Sequence, residues 1–253
     1  MSDRYWQRAW SLIDGCSPVS EGCEHCWSAA LVKRFKRDHS ENGWQHLSLV
    51  DPKGHFDGTV RIRKDRLDIP LRTKKPTVWS IWNDLLHPKV SDDFIARALQ
   101  IMWDCPQHTF LILTKRAERI PSLKVIPMRN VFWGVTAESQ QRADERIPYI
   151  LQVPGKRFLS LEPLLSEIDL SQWTSLFLHG FNHPLTSFDA CIAGAETGPG
   201  HRPCKLEWIE SIVQQCKDAN IPCFVKAINI NGKVIRDIEK FPESLRVRNL
   251  PWK

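Results

Sequence analysis

The 253-residue chain has no run of about 18 apolar residues, which excludes a membrane-spanning helix. It has no low-complexity stretch and is rich in aromatics, which excludes a disordered chain. Its opening residues, Met1-Ser2-Asp3-Arg4-Tyr5-Trp6, contain no apolar segment, so no secretory leader is expected. A cytosolic protein is therefore expected. Its eight Cys are then reduced thiols or metal ligands rather than disulfides.

What the sequence does hold is unevenly distributed. The formal net charge is +6, and residues 33–75 carry twelve bases against six acids, so that window accounts for all of it. A local excess of Lys and Arg suits a polyanion such as nucleic acid, and it equally suits a solvated loop laced with salt bridges. Within the window, Arg61, Arg63, Lys64 and Arg66 are the candidate nucleic-acid contacts. Gly43, Pro52, Gly54, Gly58, Pro70 and Pro76 punctuate it as an insertion at about 38–76, and Thr59–Arg63 alternates like a short strand. Trp44, His46, His55 and Phe56 suit base stacking or a small satellite core. The whole chain also holds 11 Trp, an excess for its length.

Beyond residue 76 a regular beat begins. Short, nearly continuous apolar runs at 77–82, 109–114, 131–136, 157–161, 188–194 and 222–227 read as strands buried on both faces, as in a parallel sheet. Helical patterns at 91–104 (capped by Ser91), 115–123, 139–152 and 205–219 separate them. With a first strand near 9–13, seven strands are expected, and the spacing predicts α/β architecture: one domain over residues 1–253 built as a partial (β/α) TIM-like barrel, with a doubly wound sheet as the alternative.

Polar residues collect at the ends of these strands: Ser80, Asn83 and Asp84, then Thr114, Lys115 and Arg116, Thr136 and Glu138, Ser160 and Glu162, Glu196 and Thr197, and Lys226. Parallel strands would bring them to one C-terminal mouth. Helix capping explains some of them. It does not explain Glu162, inside the apolar stretch Leu159–Leu165.

The densest signal is Gly15-Cys16-Ser17-Pro18-Val19-Ser20-Glu21-Gly22-Cys23-Glu24-His25-Cys26, a C-x6-C-x2-C loop between the first strand and a helix near 27–38. Three thiolates on one loop repel each other, and a cation relieves that repulsion. Three readings follow from spacing: a [4Fe–4S] cluster with one iron left open, zinc completed by His25 or His39, or free thiols. Cys191, Cys216 and Cys223 read as small buried hydrophobes, whereas Cys105 and Cys204 lie near loops. Cys204 is placed near the mouth as a candidate fourth ligand or hydrogen-atom donor.

This pattern resembles the radical S-adenosylmethionine enzymes, which place three Cys after the first strand of a partial barrel. It resembles more closely a phage and bacterial family catalogued as a domain of unknown function. That likeness rests on Gly15–Cys26, Asn83–His87, Gln107–Phe110 with Leu113–Arg116, Gly134–Gln140 with Ala143–Pro148, Ser160–Leu165 and Gly194–Pro203. The chain departs from the radical enzymes in its longer first Cys spacing and in His25 and Trp27 around the third Cys. Ser80, Asn83 and Asp84 stand where those enzymes carry Gly-Gly-Glu.

The resemblance implies a radical-SAM barrel with Cys16, Cys23 and Cys26 holding a [4Fe–4S] cluster whose open iron chelates S-adenosyl-L-methionine. An external electron donor would drive formation of a 5′-deoxyadenosyl radical that takes hydrogen from the substrate. It implies cofactor contacts from Ser80, Asn83, Asp84, Thr136, Glu138 and Ser160, catalytic roles for Glu162, Glu196 and Lys226, and substrate contacts from Lys115, Arg116 and Arg202. The implied substrate is a nucleic acid or modified nucleotide, for example a hypermodified thymidine in phage DNA rearranged by an isomerase. A phage-encoded protein would act in the host cytoplasm. Two other classes stand beside this one: a zinc-dependent nucleic-acid-binding protein, and a hydrolase using Glu162 and Glu196.

Overall fold

A computed structural model describes residues 4–35, 49–174 and 188–252. His39, Trp44, His46 and the start of the basic insertion lie outside the described residues. In chain order, β1 (Arg8–Trp10) and β2 (Ile13–Asp14) lead into the Cys loop, and α1 (Trp27–Phe35) follows it. Next come β3 (Arg61–Ile62), α2 (Ile69–Arg72), β4 (Val78–Ile81) and α3 (Asp92–Asp104). The beat continues through β5 (Thr109–Thr114), β6 (Val131–Thr136), α4 (Gln140–Ile150), β7 (Lys156–Leu161) and α5 (Ser171–Thr174). It closes with β8 (Ala190–Gly194), α6 (Leu206–Asp218), β9 (Cys223–Ile230) and β10 (Lys233–Ile235).

The fold is α/β. Eight strands form one sheet in the order β1-β4-β5-β6-β7-β8-β9-β10, parallel from β1 to β9, with β10 antiparallel on the far edge. Among the described residues no ladder joins β1 to β10, so the sheet is open. The expected first strand at 9–13 is broken in two: β1 joins the large sheet, whereas β2 turns away to pair with β3. The break follows Trp10, whose carbonyl accepts from Leu12 N–H. The segment at 115–123 is a 3-10 helix over Ala117–Leu123, with Pro121 inside it. Ser91 caps α3 as expected, its hydroxyl accepting from Phe94 N–H at 3.3 Å.

The two-residue period of a strand sorts side chains to two faces. One face carries Trp79, Phe110, Ile112, Val131, Trp133, Leu159, Cys191 and Val225, in one core with Phe94, Ala98, Ile147, Ile209 and Ile212 of α3, α4 and α6. The other face carries Val78, Leu111, Phe132, Phe158, Ile192 and Phe224, one from each of β4 to β9. Tyr5 and Trp252 complete this inner cluster, and the Trp252 indole N–H donates to the Tyr5 carbonyl at 2.8 Å. Gly134 is needed beneath the Phe158 ring, where a Cβ would collide with it. Each buried aromatic contributes roughly 1.5–3 kcal/mol. One pleat further along, the same inner face turns polar, and there the site begins.

Among the described residues no helix is long and apolar enough to cross a membrane.

Candidate functional site

A cavity of about 860 Å³ occupies the polar end of the inner face. Ser80, Thr136, Ser160, Glu162, Glu196 and Lys226 line it, and so do Cys16, Cys23 and Cys26. The strand-end residues and the Cys loop, far apart in sequence, therefore share one wall-to-wall space.

The Cys loop lies across the mouth and is fastened from several strands. Gly15 has φ +88° and sits so close to the Thr59 carbonyl that a Cβ would collide with it. Gly58 N–H donates to the Cys16 carbonyl at 3.1 Å. The described part of the basic insertion is thus a back wall for the first Cys, and Leu49, Val50 and Phe56 form a small core with Ala29 and Val32 of α1. Ser17 is held by Arg116, and Ser20 donates to Glu138. Glu21 is bound by Arg142 at 2.9 Å and by the Ser139 hydroxyl at 3.0 Å. Arg202 donates to the Glu21 carbonyl at 2.8 Å and pairs with Glu24 at 3.1 Å. Gly198 abuts the His25 carbonyl, leaving no room for a Cβ.

All three Cys are free and half-buried. Burial, then the charge of Asp84, pushes the Cys16 thiol up to about 11. Burial also pushes Cys26 up, against the Ala29 backbone N–H and the charge of Lys115. Cys23 lies within electrostatic reach of both. Among the described residues, no three His, Cys, Asp or Glu side chains are drawn together as a set that would hold a metal ion. The donors nonetheless suit a soft metal or an iron–sulfur cluster. They are three thiols on one cavity wall, and their burial makes isolated thiolates costly.

Several sequence candidates are bonded within the protein, and one of them lies off the cavity. Glu138 is 0% exposed and does not line the cavity. It is fixed by Arg146 at 2.8 Å and by Ser20, and its carboxyl lies 2.8 Å from where a Gly22 Cβ would be. Its place is behind the Cys loop, not against a ribose. Asn83, at φ +60°, spends its amide on Ser28 and the Ile13 carbonyl, both at 2.9 Å. Asp84 accepts from Leu86 N–H and the Thr114 hydroxyl at Oδ1 and from Arg116 at Oδ2, and both Asn83 and Asp84 line the cavity.

Arg202 is outside the cavity lining, clamped on Glu196 at 2.6 Å. Burial opposes charge on Glu196, but the Arg202 hydrogen bonds outweigh it and hold the carboxyl below the usual range. Cys204 is buried, donates to the Lys205 carbonyl and does not line the cavity, which removes it as ligand or hydrogen donor. Arg61, Arg63, Lys64 and Arg66 also lie off the cavity. Arg63 is committed to Asp14 at 3.0 Å and Asp65 at 2.7 Å, while Arg61 and Lys64 are exposed.

The remaining candidates converge. Glu162 and Lys226 pair at 2.6 Å, with the Lys226 ammonium 5.9 Å from the Tyr5 ring. Lys115 lines the cavity near Cys26. Trp27, 45% exposed, meets Trp82 edge-on at 5.0 Å, and both line the cavity. The Trp82 indole N–H is buried without a partner among the described residues.

Residues 2–239 match the family described as a protein of unknown function, DUF5131. The chain belongs to that family. Neither a curated protein nor a solved structure matches it. The DUF5131 match spans the Cys loop and all the strand-end residues that meet in the cavity. The sequence reading did not find the clamps of this DUF5131 chain, Arg142, Arg146 and Ser20, or the cavity aromatic Trp82.

Proposed function

We propose that this protein is a radical S-adenosylmethionine enzyme on an open (β/α) barrel, acting on a nucleotide or nucleic acid. The observation that carries the reading is the meeting of Cys16, Cys23 and Cys26 with the polar ends of six parallel strands in one cavity. When bound, a [4Fe–4S] cluster and S-adenosyl-L-methionine supply reductive cleavage, driven by an external electron donor, and a carbon radical able to take hydrogen from a C–H bond.

Cys16, Cys23 and Cys26 would hold the cluster, and the clamped loop keeps them at the mouth. Ser80, Thr136 and Ser160 offer hydroxyls to the cofactor from β4, β6 and β7. Glu162 and Lys226, paired in the cavity, offer an acceptor and a donor to the substrate. Trp27 and Trp82 offer faces for a base, and Lys115 a charge for an anionic group. Glu196 is taken by Arg202, so it is not a free second carboxylate beside Glu162 for hydrolysis. Two readings of the substrate, a free nucleotide and a nucleic acid, share this chemistry.

The test is anaerobic reconstitution with iron and sulfide, metal and sulfide analysis, and an absorbance spectrum. Close to four iron atoms per chain are expected, lost when Cys16, Cys23 and Cys26 are replaced by Ala. Cleavage of S-adenosyl-L-methionine to 5′-deoxyadenosine is expected with a strong reductant and absent without one. A colourless, iron-free protein after reconstitution would overturn the reading.

A further inference from the structure

Arg116 makes four side-chain hydrogen bonds beside the Cys loop. It is 4% exposed. Nη1 donates to Asp84 Oδ2 at 2.7 Å and to Cys16 Sγ at 3.8 Å. Nη2 donates to the Ser17 carbonyl at 2.7 Å and the Ser17 hydroxyl at 2.9 Å. Its own backbone N–H donates to the Thr114 hydroxyl, which in turn donates to Asp84 Oδ1, both at 2.8 Å. His87 Nε2 meets the Ser17 hydroxyl at 2.9 Å. The guanidinium is therefore fixed in position and presents an N–H to the first Cys sulfur. A substrate contact would require it to release these partners.

We infer that Arg116 is a positioning residue for the Cys16 ligand, one that sets the reduction potential of the cluster by donating to Cys16 Sγ while Asp84 limits its effect. The inference rests on the cluster reading above. A cluster that gains an electron becomes more negative, and a fixed cation donating to a ligand sulfur stabilises the reduced form more than the oxidised form. Asp84, bound to the same Nη1, opposes that field. The two residues must then shift the potential in opposite directions.

The experiment uses the full chain, reconstituted anaerobically, as wild type, Arg116→Gln, Arg116→Lys and Asp84→Asn. Iron and sulfide per chain are measured first, then the midpoint potential by mediated titration followed by electron paramagnetic resonance. Arg116→Gln is expected to move the midpoint to a more negative potential. Arg116→Lys, which keeps the charge without the planar fork, recovers part of that shift. Asp84→Asn moves the midpoint to a more positive potential. A merely structural role moves both sites the same way through a loosened loop, and that outcome overturns the inference, as does an unchanged midpoint in iron-replete Arg116→Gln. If Arg116→Gln takes up no iron, the opposite signs of Arg116→Lys and Asp84→Asn decide. A wild-type chain that takes up no iron instead overturns the cluster reading and, with it, this inference.

Discussion

His87 shows what the surroundings of the Cys loop do to one ring. Its Nδ1 accepts from Lys89 N–H at 3.2 Å, so Nε2 carries the proton toward Ser17. Burial first, and the Arg116 guanidinium second, lower its pKa from 6.5 to about 4. Folding therefore favours the neutral ring. As pH falls from about 6.5 toward about 4, the unfolded chain binds a proton that the folded chain does not, and stability declines across that window. Replacing His87 with Gln is expected to flatten this decline, read from urea unfolding midpoints of both proteins at several pH values between 7 and 4. An identical slope in the two proteins would remove His87 from the account. Arg116 illustrates why single-residue roles were hard to read in the sequence. Its position after β5 marks it as a mouth residue, which is right, but whether it points to substrate or to the Cys loop depends on Asp84 and Ser17, 32 and 99 residues away.

At the scale of elements, the contact between the Cys loop and the turn after β8 is the tightest. Gly198 leaves no space for a side chain beside the His25 carbonyl. Gly198→Ala is expected to push the loop off the β8 side and to reduce iron uptake on reconstitution. Iron per chain against wild type is the measurement, and full uptake would show that the cluster ligands do not depend on this contact.

The elements themselves were largely legible. β5 and β6 begin and end where their nearly continuous apolar runs do, with Thr109, Thr114 and Thr136 at their ends, because strands buried on both faces are apolar through their middles. β10 was not foreseen. It has three residues, Lys233–Ile235, with no apolar run, and it exists because β9 offers an unpaired edge. The split between β1 and β2 was hidden for a different reason: the apolar run from Ala9 to Ile13 crosses it, and only pairing distinguishes the two halves. In the site, the strand-end hydroxyls and carboxylates could be read from position alone. The arginine clamps could not, since each joins a loop to a helix or turn that the strand pattern does not connect.

At the scale of the whole molecule, the open sheet is sealed from within. Trp252 packs edge-on against Phe132 at 4.6 Å and Phe158 at 5.6 Å, and Tyr5 packs on Phe224 at 6.3 Å. Gln7 ties the same N-terminal arm to β4, donating through its backbone N–H to the Val78 carbonyl and accepting from Val78 N–H through its side chain, both at 2.9 Å. Trp252→Ala removes the plug from the inner core, and a loss of about 3–5 kcal/mol is expected, measured by urea unfolding. A loss under about 1 kcal/mol would mean that the inner cluster holds without it.

The Tyr5–Trp252 bond joins residues 247 positions apart. The inner core is therefore finished only after residue 252 has been synthesised, although β4 to β8 can pair well before then. The last residues of the described chain thus complete a cluster that begins at Tyr5.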